Sequence, residues 1–69
     1  MSDVTVRPHS GGRMVDIEAR GGTRRERGAA IAAAARRDPA ARLELVSMSY
    51  SETYGFLPAS FARYRVVEA

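Results

Sequence analysis

His9 is the only histidine of the 69-residue sequence, and there is no cysteine. With one imidazole and no thiol, no nucleophile, base and orienting group stand at a recognisable catalytic spacing. Asp16 and Glu18 lie two residues apart in an alternating stretch, which puts both carboxylates on one face of a strand. Two carboxylates there could hold a cation. Pairing with arginines on a neighbouring strand is the alternative, and the commoner arrangement on a sheet. The expectation is a protein without catalysis, cofactor or metal.

Arg20, Arg24, Arg25 and Arg27 surround Gly21-Gly22 and the start of a predicted helix. A helix N-terminus favours anions through its free N–H groups and dipole. Four arginines there do nothing for the helix, so they point to an anionic partner such as a phosphate backbone or an acidic protein surface. The bland reading is a solvated face whose arginines pair with Asp16, Glu18 and Glu26. No Gly-Lys-Ser/Thr follows the glycines, so this is not a phosphate-binding P-loop. All eleven basic residues are arginine, with a net charge of +3. The plain explanation of that bias is a GC-rich genome, and selection for bidentate contacts to phosphate or carboxylate is the sharper alternative.

A second contact-prone stretch is Tyr50-Ser51-Glu52-Thr53-Tyr54-Gly55-Phe56-Leu57-Pro58. Tyrosine, phenylalanine and arginine are enriched at binding hot spots. Tyr50, Tyr54, Phe56 and Leu57 are therefore candidate partner contacts. The competing role, for Phe56 and Leu57, is to fold back and close a small core.

The elements that must position these residues are readable from their ends and periods. Gly21-Gly22 breaks a strand, Thr23 suits an N-cap, and Glu26 three residues on completes a capping box. Alanine fills Ala29–Ala35 apart from Ile31. Arg36 and Arg37 suit the last turn, and Asp38-Pro39 stops the helix. The spacing predicts a helix over 24–37 whose buried face is the Arg24 stem, Gly28, Ile31, Ala34 and Ala35. Asp3 to Pro8 alternates as a strand, and His9-Ser10-Gly11-Gly12 is turn chemistry. Arg13 to Arg20 alternates again, with Val15, Ile17 and Ala19 towards the core. In Arg42 to Tyr50, Leu43 and Leu45 share one face while Val46, Met48 and Tyr50 share the other. A β-bulge near Leu45-Val46 would bring both sets to the core; a strand partly covered on both faces is the alternative. Ser60 to Glu68 is the last strand, with Ala62, Tyr64 and Val66 on one face. The expected fold is α+β: a two-layer single domain over 1–69, a small antiparallel sheet in the order β-β-α-β-β with one helix packed on one face.

Of the apolar residues twelve are alanine, which leaves nineteen larger ones to build a core. So thin a core makes a homodimer, or docking on a larger partner, the expectation. No stretch approaches the roughly 18 apolar residues of a membrane span, and the N-terminus lacks a signal peptide's apolar segment. A soluble cytoplasmic protein with no membrane contact is expected.

The stretch Val15-Asp16-Ile17-Glu18-Ala19, followed by Thr23 and the Ala29/Ala33 spacing, resembles the strand–helix unit of a small phage-encoded anti-CRISPR inhibitor. A short strand, a capped alanine-rich helix and then a hairpin is similar in layout to several such proteins, over about two-thirds of the chain. The resemblance implies a non-enzymatic inhibitor that occupies a nucleic-acid-binding or subunit surface of a large effector complex. Inhibitors that mimic DNA are acidic; this basic chain would instead block a protein surface. The leading expectation is an interaction protein that binds a larger protein or nucleoprotein. The alternative is a small arginine-rich module that binds nucleic acid.

Overall fold

Alternating side chains build the first hairpin. In the computed structural model, which describes residues 2–37, 42–52 and 57–67, β1 (Asp3–Pro8) pairs antiparallel with β2 (Met14–Arg20). Their turn is closed by the His9 N–H donating to the Met14 carbonyl at 2.9 Å. Gly12 sits in it at φ +71°, a conformation glycine adopts without a Cβ clash. The helix α1 (Arg24–Ala35) follows, then β3 (Arg42–Ser51) and β4 (Ala59–Val67). The product is a small α+β domain with one helix and an open, four-stranded antiparallel sheet in the spatial order β1-β2-β4-β3.

The last strand thus enters the middle of the sheet. Ile17 of β2 stands between Val6 of β1 and Ala62 of β4, and Val15 lies beside Tyr64. These residues face α1, which packs on β2 and β4, touches β1 and scarcely reaches β3. The buried cluster is Ile17, Ala19, Ile31 and Ala62, flanked by Val15, Ala34, Met48 and Tyr64. Only two members of that cluster are large. Small helix residues let α1 lie close to the sheet, but they bury little area.

The capping box is present: the Glu26 N–H donates to Thr23 Oγ1 at 3.1 Å, and the Thr23 N–H to Glu26 Oε1 at 2.8 Å. At the other end α1 stops at Ala35, two residues short of the predicted helix. Arg36 is the C-cap, at φ −94° and ψ 1°, so Arg36 and Arg37 lie beyond the last turn rather than in it. The Arg37 N–H closes a tighter i→i+3 bond on the Ala34 carbonyl at 3.2 Å, which ends the regular ladder. Asp38-Pro39 lies outside the described residues. The buried stripe also starts elsewhere: Arg27 and Ile31 are the buried helix residues, while Arg24 is exposed.

The predicted bulge is there. Leu45 faces Tyr64 and Ser47 faces Arg63, leaving Val46 as the extra residue. Leu43, Leu45, Met48 and Tyr50 consequently stand opposite Val66, Tyr64, Ala62 and Ser60, all on the helix side of β4. They share a face, but of the four only Met48 packs against the core. Leu45, Val46 and Tyr50 each remain about half exposed, because α1 lies over the other three strands.

Candidate partner-binding surface

Two glycines aim the helix start. Gly21 and Gly22 hold φ +84° and +77°, which turn the chain sharply out of β2. A Cβ on Gly22 would meet Glu26 Oε1 at 3.1 Å and Ser2 Oγ at 3.3 Å. The Gly21 N–H donates to the Pro58 carbonyl at 2.8 Å, and Ser2 Oγ donates to the Gly21 carbonyl at 2.7 Å. The helix start is thereby tied to the segment entering β4.

Arg27 fills the space beneath this turn and is 1% exposed. Its Nε donates to Ser60 Oγ at 2.9 Å, one terminal nitrogen to the Gly22 carbonyl at 2.7 Å, and the other to Glu52 Oε1 at 2.7 Å. A buried guanidinium is tolerable when its fork is satisfied and a carboxylate offsets its charge. Arg27 is therefore an internal strut, not the surface contact its place in the basic segment suggested.

Arg24 lies above it. Its Nε reaches Glu52 Oε1 at 3.2 Å and a terminal nitrogen reaches Oε2 at 3.1 Å. The guanidinium carbon is 4.1 Å from the centroid of the Tyr50 ring, a cation–π stack. Glu52 thus accepts from two arginines, first Arg24 and then Arg27, and they hold its carboxyl below the usual range. Leu57 is 61% exposed and Tyr50 46%. Gly21 meets Pro58, the residue after Leu57, through the backbone bond already described.

The predicted basic segment and the predicted aromatic stretch are one corner of the molecule, joined through Glu52. Arg24, Tyr50 and Leu57 present it, and Arg25 is exposed on the same helical turn. Arg20 belongs elsewhere: its Nε donates to Glu18 Oε2 at 2.6 Å, while Arg7 takes Glu18 Oε1 at 3.2 Å. Tyr54 and Phe56 lie outside the described residues. The sequence reading assigned no role to Glu52 or Ser60. The usable signal for Glu52 was an acid two residues past a tyrosine, with arginines waiting at the helix start.

The far face of the sheet is a lattice of ion pairs. Asp16 accepts from Arg63 at 2.9 and 3.3 Å, directly across the β2–β4 pairing. His9 Nε2 lies 2.9 Å from Asp16 Oδ2. An ionised carboxylate only accepts, so that nitrogen carries the proton. The Arg63 bonds and then the His9 bond bring the Asp16 carboxyl down from 3.8 to about 2. Arg65 donates to Glu44 at 2.8 Å. The two acids singled out for cation binding are thus occupied by basic side chains, and among the described residues no three His, Cys, Asp or Glu side chains gather to hold a metal ion.

Among the described residues, Arg13, Arg25, Arg36, Arg37 and Arg42 have no carboxylate within ion-pair distance. All but Arg25 collect at the end of the molecule opposite the Tyr50 corner. The Arg13 carbonyl accepts from the Val66 N–H at 2.8 Å, and Arg42 precedes Leu43, which pairs with Val66. Arg37 shares an apolar hollow with Leu43 and Val66. Apart from Arg25, the cations left over for an anion are therefore not those at the helix start. No helix among the described residues is long and apolar enough to cross a membrane. Neither a family model, nor a curated protein, nor a solved structure matches the chain.

Proposed function

We propose that this protein is a non-enzymatic interaction module that docks on a larger macromolecular partner through the Arg24, Arg25, Tyr50 and Leu57 corner. The observation that carries the reading is the Arg24–Tyr50 stack, pinned from below by Glu52. Fixing these rotamer-rich side chains before contact lowers the entropic cost of association. Arginine and tyrosine are also the residue types that anchor interfaces, and Leu57 adds exposed apolar surface. Inhibition of a CRISPR effector is the partner class suggested by the layout of β2 and α1, with this corner blocking a protein surface.

The test compares parent and Tyr50→Ala proteins, each confirmed folded by circular dichroism. Both are used as bait in host lysate and are assayed for protection of a CRISPR-targeted phage. A partner retained by the parent and released at least tenfold faster by Tyr50→Ala, about 1.4 kcal/mol, supports the corner. Equal retention removes it. Protection by the parent that is lost in the variant supports the CRISPR reading specifically.

A second reading, nucleic-acid binding, is favoured by the carboxylate-free Arg13, Arg36, Arg37 and Arg42. Phosphate contacts give affinity that falls log-linearly with salt. Arg36→Ala with Arg37→Ala should flatten that slope, while Arg24→Ala should leave it unchanged.

A further inference from the structure

Strand β3 is the part of the sheet that the fold leaves unfinished. It lies at one edge, and among the described residues no strand pairs with its outer side. Proteins blunt such edges with charge, proline or shortness. The opposite edge, β1, follows that practice: it has 6 residues, carries Asp3 and Arg7, and ends in Pro8. At 10 residues β3 is longer, and its only charges are Arg42 and Glu44 at one end. Glu44 is already neutralised by Arg65. From Leu45 to Ser51 the strand is uncharged, with Leu45, Val46 and Tyr50 exposed.

The molecule also exposes too much surface for its size. Its accessible area is 5107 Å², where a compact monomer of 7.5 kDa exposes about 4,200 Å². Its radius of gyration is 12.1 Å, against about 11 Å for a compact chain of this length. The excess of about 900 Å² is close to the roughly 800 Å² that each partner buries in a standard interface.

We propose that the missing neighbour is a second copy of this chain, with β3 pairing antiparallel to its counterpart about a two-fold axis between Val46 and Ser47. The bulge makes the strand self-complementary. The helix-side residues Leu43, Leu45, Met48 and Tyr50 are spaced symmetrically about that point. Antiparallel pairing then sets Leu43 against Tyr50 of the second copy and Leu45 against its Met48. On the far face Glu44 meets Ser49 of the second copy, so no like charges oppose each other. The two irregularities coincide on the axis, where Val46 faces Ser47 in both directions. Both helices fall on one side of a continuous sheet, and the half-exposed residues of β3 become its middle. The β3 seam and the docking corner both use Tyr50, so the two readings compete for that side chain; cross-linking and sedimentation of the protein alone decide the seam without any other partner.

The chain has no cysteine, which makes a register test clean. Leu43→Cys and Tyr50→Cys are prepared separately and oxidised alone and mixed. Positions 43 in the two copies would lie roughly 23 Å apart along the strands, beyond disulfide reach. The expected result is a mixed disulfide between the two variants, with little product from either alone. Sedimentation equilibrium should give twice the chain mass for the parent and the single-chain mass for Leu45→Lys. Val6→Lys, on the other edge, should keep the dimer. A parent that stays monomeric to millimolar concentration overturns the proposal. So does a cross-link from Leu43→Cys alone as strong as that from the mixture. If Leu45→Lys does not fold, the cross-linking pattern decides.

Discussion

Arg27 shows how one charged side chain can substitute for core in a domain with few large apolar residues. Its aliphatic stem fills space that an aliphatic residue would occupy elsewhere, and its head closes three separate segments: the Gly22 turn, Glu52 after β3 and Ser60 in β4. Arg27→Ala removes the stem, leaves a cavity and orphans the buried Ser60 hydroxyl. Urea denaturation should show a loss of about 3 kcal/mol. Arg27→Lys keeps the charge and most of the stem, yet one ammonium cannot reproduce a planar fork aimed at three acceptors. It should fall between parent and alanine. A loss under about 0.5 kcal/mol for Arg27→Ala, the range of ordinary surface changes, would show that the strut contributes nothing.

The helix is the element whose start the sequence states most openly. Thr23→Ala should cost about 1 kcal/mol in thermal or urea unfolding through loss of the capping box; an unchanged melting curve would mean that the reciprocal Thr23 and Glu26 bonds are idle. Local chemistry of that kind was legible because cap, turn and alternation signals lie within a few residues of each other. The faces of β2 and β4 were legible for the same reason, and so was the bulge at Val46. The buried stripe of α1 was not. Arginine scores as polar, so periodicity selected Arg24 and Gly28, whereas the space under the turn and the acceptors on Glu52 and Ser60 selected Arg27. Nor could the pattern of β3 show that its apolar face would lie beyond the reach of a helix of 12 residues. The meeting of Arg24 with Tyr50 spans the whole helix and a strand, a distance over which spacing carries no information.

At the scale of the whole molecule, the two faces of the sheet are held by different forces. One face has a small apolar core under α1. The other has none, and its strands are cross-linked by Asp16 with Arg63 and His9, Glu18 with Arg7 and Arg20, and Glu44 with Arg65. Such pairs are individually weak and screened by salt, but this fold has little else on that side. Asp16 gives the means to test their share. Its carboxyl titrates at about 2 in the folded protein instead of 3.8. A depressed folded value means that the unfolded chain binds the proton more readily, so the stabilisation is fully present above about pH 4. It is lost as pH falls towards 2. Glu26, held down by its bonds to Thr23, and Glu52, held down by Arg24 and then Arg27, act in the same direction. The fold should therefore lose stability progressively in acid. Asp16→Asn should be less stable than the parent at pH 7, and the gap between the two should close as pH approaches 2. Because the Asp16 side chain is 39% exposed, the gap should also shrink with added salt at neutral pH. Urea midpoints for both proteins across this range provide the measurement. A gap independent of pH would mean that Asp16 acts through packing, and that the charged lattice is a consequence of the sheet rather than one of its supports.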